Sequence, residues 1–190
     1  MLAGGRSTRF GSDKLKAEYR GQPLLHRAIG ALAEVCGEVV VVLSPTGEEP
    51  AVPDGISVRF ARDSNDGEGP LAGLYEGLLA CRTELVVVAG GDMPELQPMV
   101  LSEMLRVARE TAADAVALAE GDRVRPLPCV LRMLEAMDAT HALLHLGGRR
   151  LRSMLEALHA VAIDEAVWTA LDPERLTLID VDEPGDLLMW

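Results

Sequence analysis

The sequence predicts an α/β fold with an open, doubly wound and mostly parallel sheet. Three observations support this prediction. Short apolar runs alternate along the chain with segments of helical hydrophobic period. The strongest runs, 39–43 and 85–89, are continuous in Val, Leu and Ala, as expected for strands covered on both faces. The chain has 190 residues, which is a typical length for a single domain with an adequate core.

The elements follow from these patterns in chain order. Strands are predicted at 1–3, 39–43, 56–61, 85–89 and 113–118. Apolar residues at helical spacing predict helices over 24–35 and 99–107. In such a sheet, ligands bind beyond the carboxyl ends of the strands, so the loops that follow the strands are the places to look for chemistry.

The first predicted strand is unusually short. Only Met1, Leu2 and Ala3 precede Gly4, whereas an average strand has about five or six residues. The first strand of such a sheet is usually central. We therefore predict either marginal stability for a chain that begins at Met1 or a longer natural N-terminus.

Composition excludes several classes of function. The chain is 48% hydrophobic and 25% charged, with a net charge of -12, and an acidic surface of this kind repels nucleic acid and anionic membranes. No apolar run approaches the roughly 18 residues of a membrane span, and no signal-peptide core is present, so a cytoplasmic location is expected. The widely spaced Cys36, Cys81 and Cys129 are expected to be buried small hydrophobes rather than disulfide or zinc ligands.

The N-terminal loop is a basic island in this acidic chain. Residues 1–20 carry five Arg or Lys side chains against two acidic ones, next to the glycine pair Gly4 and Gly5. Glycines let backbone N–H groups approach an anion, and basic side chains neutralise it, so the loop is suited to hold phosphates. The Walker A and G-x-G-x-x-G patterns are both absent. The alternative is a flexible surface loop.

Residues 63–74 form a second candidate. An acidic, turn-rich segment leads into a helix with Pro70 in its first turn, and Gly69 and Gly73 leave room for a flat base near the backbone. An ordinary junction between a loop and a helix explains the same residues.

The third candidate is Asp92, which follows the most hydrophobic strand in the sequence Gly90-Gly91-Asp92-Met93-Pro94. A carboxylate at the carboxyl end of a central strand suits Mg²⁺ held by one protein ligand, with waters and phosphates completing the octahedron. The alternative is a helix cap near Glu95.

The fourth candidate lies near the C-terminus. Arg149 and Arg150 could hold a second anionic substrate, although Arg149 and Arg152 also suit a solvated face. Asp180 and Asp182 are two apart on a predicted strand and would share one face, unless Asp182 caps the final helix before Pro184.

Two histidines deserve a separate statement. His141 and His145 have helical i, i+4 spacing, but no H-E-x-x-H pattern surrounds them and no third ligand is evident. We interpret them as imidazoles on a helix face.

Taken in order, five motifs resemble those of the molybdenum cofactor guanylyltransferase family of nucleotidyltransferases. They are L-A-G-G-R-S-T-R-F-G-S-D-K at 2–14, G-P-L-A-G at 69–73, G-D-M-P at 91–94, R-P-L-P at 125–128 and D-V-D-E-P at 180–184. The resemblance implies one Rossmann-like, nucleotide-diphospho-sugar transferase-like domain over residues 1–190. It also implies transfer of GMP from GTP to the terminal phosphate of molybdopterin, with release of pyrophosphate and with Mg²⁺ present.

The resemblance also implies roles for single residues. The catalytic set would be Arg9, Lys14 and Asp92, with Arg9 and Lys14 on the triphosphate and Asp92 as the metal ligand. The remaining binding residues would be the guanine and ribose frame Leu2, Ala3, Gly4 and Gly5, the functional acid Asp63, the base-side residues Gly69, Pro70 and Gly73, and the pterin-side residues Arg150, Asp180 and Asp182.

Other readings stay open. The family's guanylyltransferases commonly have Asn where this chain has Asp180 and Asp182, and an Asp-rich motif there is similar to the cytidylyltransferase branch, whereas Gly4-Gly5 favours guanine. The acceptor could instead be phosphoenolpyruvate, phospholactate or a sugar phosphate. A nucleotide-binding protein without turnover is a further alternative. The expected partners are a nucleoside triphosphate and a phosphorylated small molecule, with transient contact to molybdenum-insertion proteins.

Overall fold

The computed structural model describes residues 1–4, 14–64 and 69–188. Its strands are β1 (Glu18–Tyr19), β2 (Gln22–Pro23), β3 (Val39–Leu43), β4 (Val58–Arg62), β5 (Leu85–Val88), β6 (Ala115–Glu120), β7 (Arg123–Arg132) and β8 (Ala160–Ile163). Its α-helices are α1 (Leu24–Ala33), α2 (Pro70–Ala80), α3 (Pro98–Glu110), α4 (Met133–His145), α5 (Leu151–Ala157) and α6 (Glu165–Thr169). Short 3₁₀ helices span Lys14–Lys16, Leu176–Leu178 and Pro184–Leu188.

Strands β3 to β8 form an open sheet whose two parts meet at Leu2, and β1 and β2 pair separately as an antiparallel ribbon. The larger part has the order β5-β7-β6-β8, and the smaller is the parallel pair β3-β4. Leu2 forms parallel bridges to Val42 of β3 and to Gly90 just after β5. Its N–H donates to the Ala89 carbonyl at 2.9 Å, so the start of the chain lies between β3 and β5.

The predicted fold class is confirmed, although the sequence analysis did not include the strands β1, β2, β7 and β8. β7 runs antiparallel to both of its neighbours, β5 and β6, and makes the sheet mixed. It follows β6 through a tight turn in which Gly121 has a φ of +56°. Arg123, Arg125 and the prolines of this segment interrupt its apolar pattern, which is why periodicity did not reveal it.

Helices cover both faces of the sheet. Alternate strand residues belong to two core clusters because successive side chains of a strand point to opposite faces. Val116 and Leu118 pack in the cluster that contains the buried sides of α1 and α3, whereas Ala115 and Ala117 pack in the one that contains α2, α4 and α5. This arrangement confirms the doubly wound prediction.

A gap remains between β3 and β5 on the amino-terminal side of Leu2. The Met1 ammonium is buried in it and donates to the Val40 carbonyl at 2.7 Å. A cavity of about 670 Å³, lined by residues of β3 and β5, lies in the same place. Among the first residues of the chain, Leu2 thus forms the parallel bridges to β3 and to the end of β5. On the amino-terminal side of Leu2, the edges of β3 and β5 face each other across the gap.

Candidate functional site

The site is centred on the ammonium of Lys14. Its Nζ lies 3.0 Å from Asp92 Oδ2 and 3.1 Å from Asp182 Oδ1. Lys14 comes from the first 3₁₀ helix, Asp92 from the turn after β5 and Asp182 from the C-terminal segment. Three distant parts of the chain therefore meet at the carboxyl edge of the sheet.

The charges in this cluster stabilise one another. Desolvation by burial acts to lower the pKa of Lys14, but hydrogen bonds and charges from Asp92 and Asp182 outweigh it, so the pKa is raised. The Lys14 side chain is only 13% exposed, whereas Asp92 is 34% and Asp182 57% exposed. A permanently charged ammonium thus lies beneath two carboxylates that solvent and a ligand can reach.

Backbone contacts hold Asp92 in place. A Cβ on Gly90 would lie 2.2 Å from Asp92 Oδ1, so the Asp92 carboxylate folds back over Gly90 and a side chain at that position would displace it. The Gly91 N–H donates to the Leu2 carbonyl at 2.8 Å, and the Val181 N–H donates to the Asp92 carbonyl at 2.9 Å. Asp92 does not cap a helix, because α3 begins at Pro98 with Gln97 as its N-cap.

The prediction of a strand at Asp180 and Asp182 is wrong. Both residues lie in irregular backbone between two 3₁₀ helices, because this segment pairs with the Asp92 turn rather than with a strand. Asp186 accepts hydrogen bonds from the Asp182 and Glu183 N–H groups, each at 2.8 Å, which leaves the Asp182 carboxylate to contact Lys14.

Asp180 is exposed, yet its pKa is raised. Desolvation by surrounding protein atoms is the main cause, and the charge of Asp182 adds to it, while Arg125 acts in the opposite direction. Asp180 therefore belongs to the same electrostatic cluster as Asp92 and Asp182.

Four residues predicted to line the nucleotide pocket converge near Leu2. A Cβ on Gly73 of α2 would lie 3.7 Å from Asp63 Oδ2 and 3.8 Å from Leu2 Cδ2. The Asp63 N–H donates to the Leu43 carbonyl at 2.9 Å, just beyond β4. A Cβ on Gly4 would lie 3.2 Å from the Ser44 amide nitrogen. Ala3 joins this group through its N–H, which donates to the Val42 carbonyl at 2.9 Å.

The start of α2 contacts the start of α5. Gly69 is the N-cap of α2 and has a φ of +89°. Pro70 follows it in the first turn of the helix. A Cβ on Gly69 would lie 2.9 Å from the Arg149 carbonyl oxygen, to which the Leu71 N–H donates at 3.3 Å. Arg150 is exposed at the N-cap of α5 and, within the described residues, forms no ion pair with Asp180 or Asp182. Gly5 and Arg9 lie outside the described residues.

Sequence reasoning missed a buried ionic cluster beside the Asp92 turn. The Glu95 side chain is 6% exposed, and its Oε1 lies 3.1 Å from Arg20 Nη1 and 3.0 Å from Arg27 Nη2. Arg27 Nε also donates to the Pro94 carbonyl at 3.3 Å. These contacts fix the chain immediately after Asp92. The one sequence signal was an acidic residue directly after the G-D-M-P motif.

The two helical histidines are a surface feature. On α4, His145 Nε2 lies 3.0 Å from His141 Nε2, and the His141 ring stacks on Tyr75 at 5.6 Å between centroids. Among the described residues, no group of three or more His, Cys, Asp and Glu side chains is arranged to hold a metal ion. No helix in the described part of the chain is long and apolar enough to cross a membrane.

Comparison with known proteins identifies the family. The model of the MobA-like NTP transferase domain matches residues 1–171. The chain belongs to this family. A protein of Chloroflexus aggregans named probable molybdenum cofactor guanylyltransferase is 32% identical, over 98% of this chain and 89% of its own length. The molybdenum cofactor guanylyltransferase of Pseudomonas fluorescens is 30% identical, over 86% and 81%.

Solved structures agree with the fold of this MobA-like chain. Molybdopterin-guanine dinucleotide biosynthesis protein A of Archaeoglobus fulgidus has a TM-score of 0.77 at 22% identity, covering 98% of this chain and 93% of its own. The 2-C-methyl-D-erythritol 4-phosphate cytidylyltransferase of Thermus thermophilus has a TM-score of 0.70 at 20% identity, covering 99% and 94%. One fold thus serves enzymes named for different nucleotides and acceptors.

Proposed function

We propose that this MobA-like chain is a guanylyltransferase that moves GMP from GTP to the terminal phosphate of molybdopterin and releases pyrophosphate. The observation that carries the proposal is the Lys14 ammonium between the Asp92 and Asp182 carboxylates, at the sheet edge where the N-terminal loop begins. The names of the curated relatives support this choice of substrates.

The reaction requires no covalent intermediate on the protein. An oxygen of the acceptor phosphate forms a bond to the α-phosphorus of GTP. At the same time, the bond between the α-phosphorus and the α–β bridging oxygen breaks. The electron pair leaves with pyrophosphate. Because the acceptor phosphate is already anionic at neutral pH, no strong base is needed, and positioning and charge neutralisation dominate.

Lys14 is suited to neutralise the charge that develops on the α-phosphate and on pyrophosphate. An ammonium has three N–H donors, and within the described residues Asp92 and Asp182 take two of them. The third donor is left for a phosphate oxygen. We propose that Arg9, which lies outside the described residues, acts on the same triphosphate.

The carboxylates fit a magnesium ion. Mg²⁺ is usually held by one or two carboxylates, with waters and substrate phosphates completing six oxygen ligands. Asp92 and Asp182 are both partly exposed, which leaves such positions open. We propose Asp92 as the metal ligand. The ion, when bound, supplies charge neutralisation across the triphosphate.

The remaining predicted site residues are assigned to the nucleotide or to the acceptor. We propose that Leu2, Ala3, Gly4 and Gly5 frame guanine and ribose. We propose that Asp63, Gly69, Pro70 and Gly73 also line the nucleotide pocket. Gly73 lies close to Leu2 and Asp63, and Gly69 lies close to the start of α5. We propose that Arg150, Asp180 and Asp182 face the acceptor.

A second candidate is a cytidylyltransferase, or a transferase for another phosphorylated acceptor. The observation that favours it is the pair of carboxylates at Asp180 and Asp182, which would repel a phosphorylated pterin unless a cation offsets them. We further propose a cytoplasmic site of action and delivery of the product to molybdenum-insertion proteins.

The deciding experiment follows pyrophosphate. The purified chain is given GTP or CTP with Mg²⁺, with and without molybdopterin, and exchange of labelled pyrophosphate into the nucleotide is measured. We expect exchange that needs GTP and molybdopterin together. Exchange that occurs with CTP and molybdopterin but not with GTP would assign the chain to the cytidylyl branch. No exchange with either nucleotide and any phosphorylated acceptor would indicate a binding protein without turnover.

A further inference from the structure

Arg125 lies at the same sheet edge as Asp92. It pairs with Leu118 of β6, and four residues later Cys129 of the same strand pairs with Val88, the last residue of β5. Because β7 runs antiparallel to β5, Arg125 lies beyond the carboxyl end of β5, where the Asp92 turn begins. The sequence analysis quoted this residue only as part of a motif.

The guanidinium has unused donors. Its Nε is buried and has no hydrogen-bond partner among the described residues. Among the described residues, its Nη1 lies 3.5 Å from Glu120 Oε2, and the Glu120 side chain is 38% exposed. A guanidinium carries five N–H groups in a fork that matches carboxylates and phosphates. A long contact to an exposed carboxylate holds an arginine weakly, so Glu120 alone does not account for its position.

Arg125 is a counter-charge within the acidic cluster beside the Asp92 turn. Asp180, Asp182 and Asp92 are mutually close, and Arg125 counteracts the repulsion at Asp180. Lys14 contacts Asp182 and Asp92 at the other end of the group. Lys14 and Arg125 thus supply positive charge to these carboxylates from different contacts, and a phosphate that approached from the Arg125 side would meet its guanidinium.

The strand order separates Arg125 from the residues near Leu2. Leu2 lies between β3 and β5, whereas β7 lies on the opposite side of β5. Neighbouring strands are about 4.8 Å apart, so Leu2 and β7 are separated by about 10 Å. The nucleotide-side residues and Arg125 therefore stand on opposite sides of the Asp92 turn.

We propose that Arg125 binds the phosphate of the acceptor substrate, a phosphate monoester, on the side of Asp92 opposite the nucleotide. This inference rests on the proposed nucleotidyl transfer, and it adds an acceptor-binding residue. Its planar fork holds two phosphate oxygens while Asp180 lies beside it. The nucleotide, on the Leu2 side, does not contact it.

The kinetic test compares three variants: Arg125→Gln, Arg125→Lys and, as a matched control, Arg123→Gln, an exposed arginine two residues earlier on β7. For Arg125→Gln we expect the KM for the acceptor to rise about tenfold or more, with the KM for GTP within about twofold of the parent, because a charge-assisted phosphate contact is lost. Arg125→Lys should recover part of this effect, and Arg123→Gln should match the parent. An unchanged acceptor KM, or an equal rise in the KM for GTP, overturns the proposal.

A binding test separates this inference from the proposed function. Inorganic phosphate is titrated by calorimetry into the chain saturated with a non-hydrolysable GTP analogue. We expect the parent and Arg123→Gln to bind phosphate equally and Arg125→Gln to bind it at least about fivefold more weakly, whether or not molybdopterin is the true acceptor. Thermal melts verify that the variants are folded. Equal phosphate binding by the parent and a folded Arg125→Gln overturns the inference. If Arg125→Gln does not fold, equal binding by the parent and a folded Arg125→Lys overturns it instead. Failure of pyrophosphate exchange in the parent overturns only the proposed reaction.

Discussion

Lys14 Nζ lies 3.0 Å from Asp92 Oδ2, although the two residues are 78 positions apart in the chain. The contact joins the first 3₁₀ helix to the turn after β5. It places a buried positive charge beside an accessible carboxylate, and the proposed triphosphate site rests on this pairing.

The first prediction concerns Lys14. Replacing Lys14 with Ala should lower kcat by about 10²- to 10³-fold, with a smaller change in the Kd for GTP, because its charge acts mainly on the transition state. Steady-state kinetics and GTP calorimetry measure the two effects. The control is Lys16→Ala, an exposed lysine on the same 3₁₀ helix, which should stay within about twofold of the parent. Full activity of Lys14→Ala would refute the role.

The second prediction concerns the metal. Asp92→Asn keeps the size of the side chain and the backbone carbonyl that accepts from Val181. We expect the Mg²⁺ concentration at half-maximal activity to rise about tenfold or more, since a neutral amide is a poorer ligand than a carboxylate. A magnesium titration at saturating substrates provides the measurement. Asp122→Asn, in the exposed β6–β7 turn, should titrate like the parent, and an unaltered titration of Asp92→Asn would rule out the assignment.

The third prediction concerns the buried N-terminus. Desolvation by burial lowers the pKa of the Met1 amine from 8.0 to about 6. Between these values the unfolded chain binds more protons than the folded chain, so stability rises with pH and is lost as pH falls from 8 to 6. Two pKa units correspond to about 3 kcal/mol.

An extended chain tests this prediction. Adding a short apolar segment before Met1 moves the charged amine out of the gap and lengthens the first strand, so the extended chain should melt at a higher temperature at pH 6. The difference between the two chains should shrink by pH 8. Thermal melts of both chains at several pH values decide the matter. The histidines are common to both and cancel in the comparison. Equal melting points throughout would contradict the prediction.

The fourth prediction concerns Gly69. Gly69→Ala introduces a Cβ at a φ of +89° and 2.9 Å from the Arg149 carbonyl. We expect a loss of about 1–3 kcal/mol in the free energy of unfolding, because the backbone is strained and the contact between α2 and α5 must open. Gly30→Ala is the matched control, since a Cβ there meets open space within α1 and should stabilise the chain by about 0.5–1 kcal/mol. Denaturant melts compare the variants, and an unchanged Gly69→Ala would show that the contact relaxes freely.

Much of the fold was predictable because the signals are local. The run at Val39–Leu43 is buried throughout, and the strand predicted there matches β3 residue for residue. The helical period over 24–35 corresponds to α1, which buries Leu25, Ile29 and Leu32. Burial of a strand or of one helix face imposes its period directly on the residues, so periodicity reveals it.

The contacts around Lys14 were harder to predict from the sequence. Asp182 contacts Lys14 across 168 positions, yet its motif predicted a strand or a helix cap. β7 was missed because charged residues and prolines interrupt its pattern, and with it the location of Arg125 remained unknown. Contacts of this kind depend on strand order and register.

The sequence by itself determined the doubly wound α/β class and the carboxylate after the most hydrophobic strand, because each is written in neighbouring residues. Most of the predicted basic glycine loop, residues 5–13, lies outside the described residues. The tertiary structure alone decided that Lys14 lies between Asp92 and Asp182, that β7 brings Arg125 to the same edge, and that the Met1 amine is buried between β3 and β5. The physical reason is that long-range pairing is selected by the packing of the whole sheet, which no local pattern encodes.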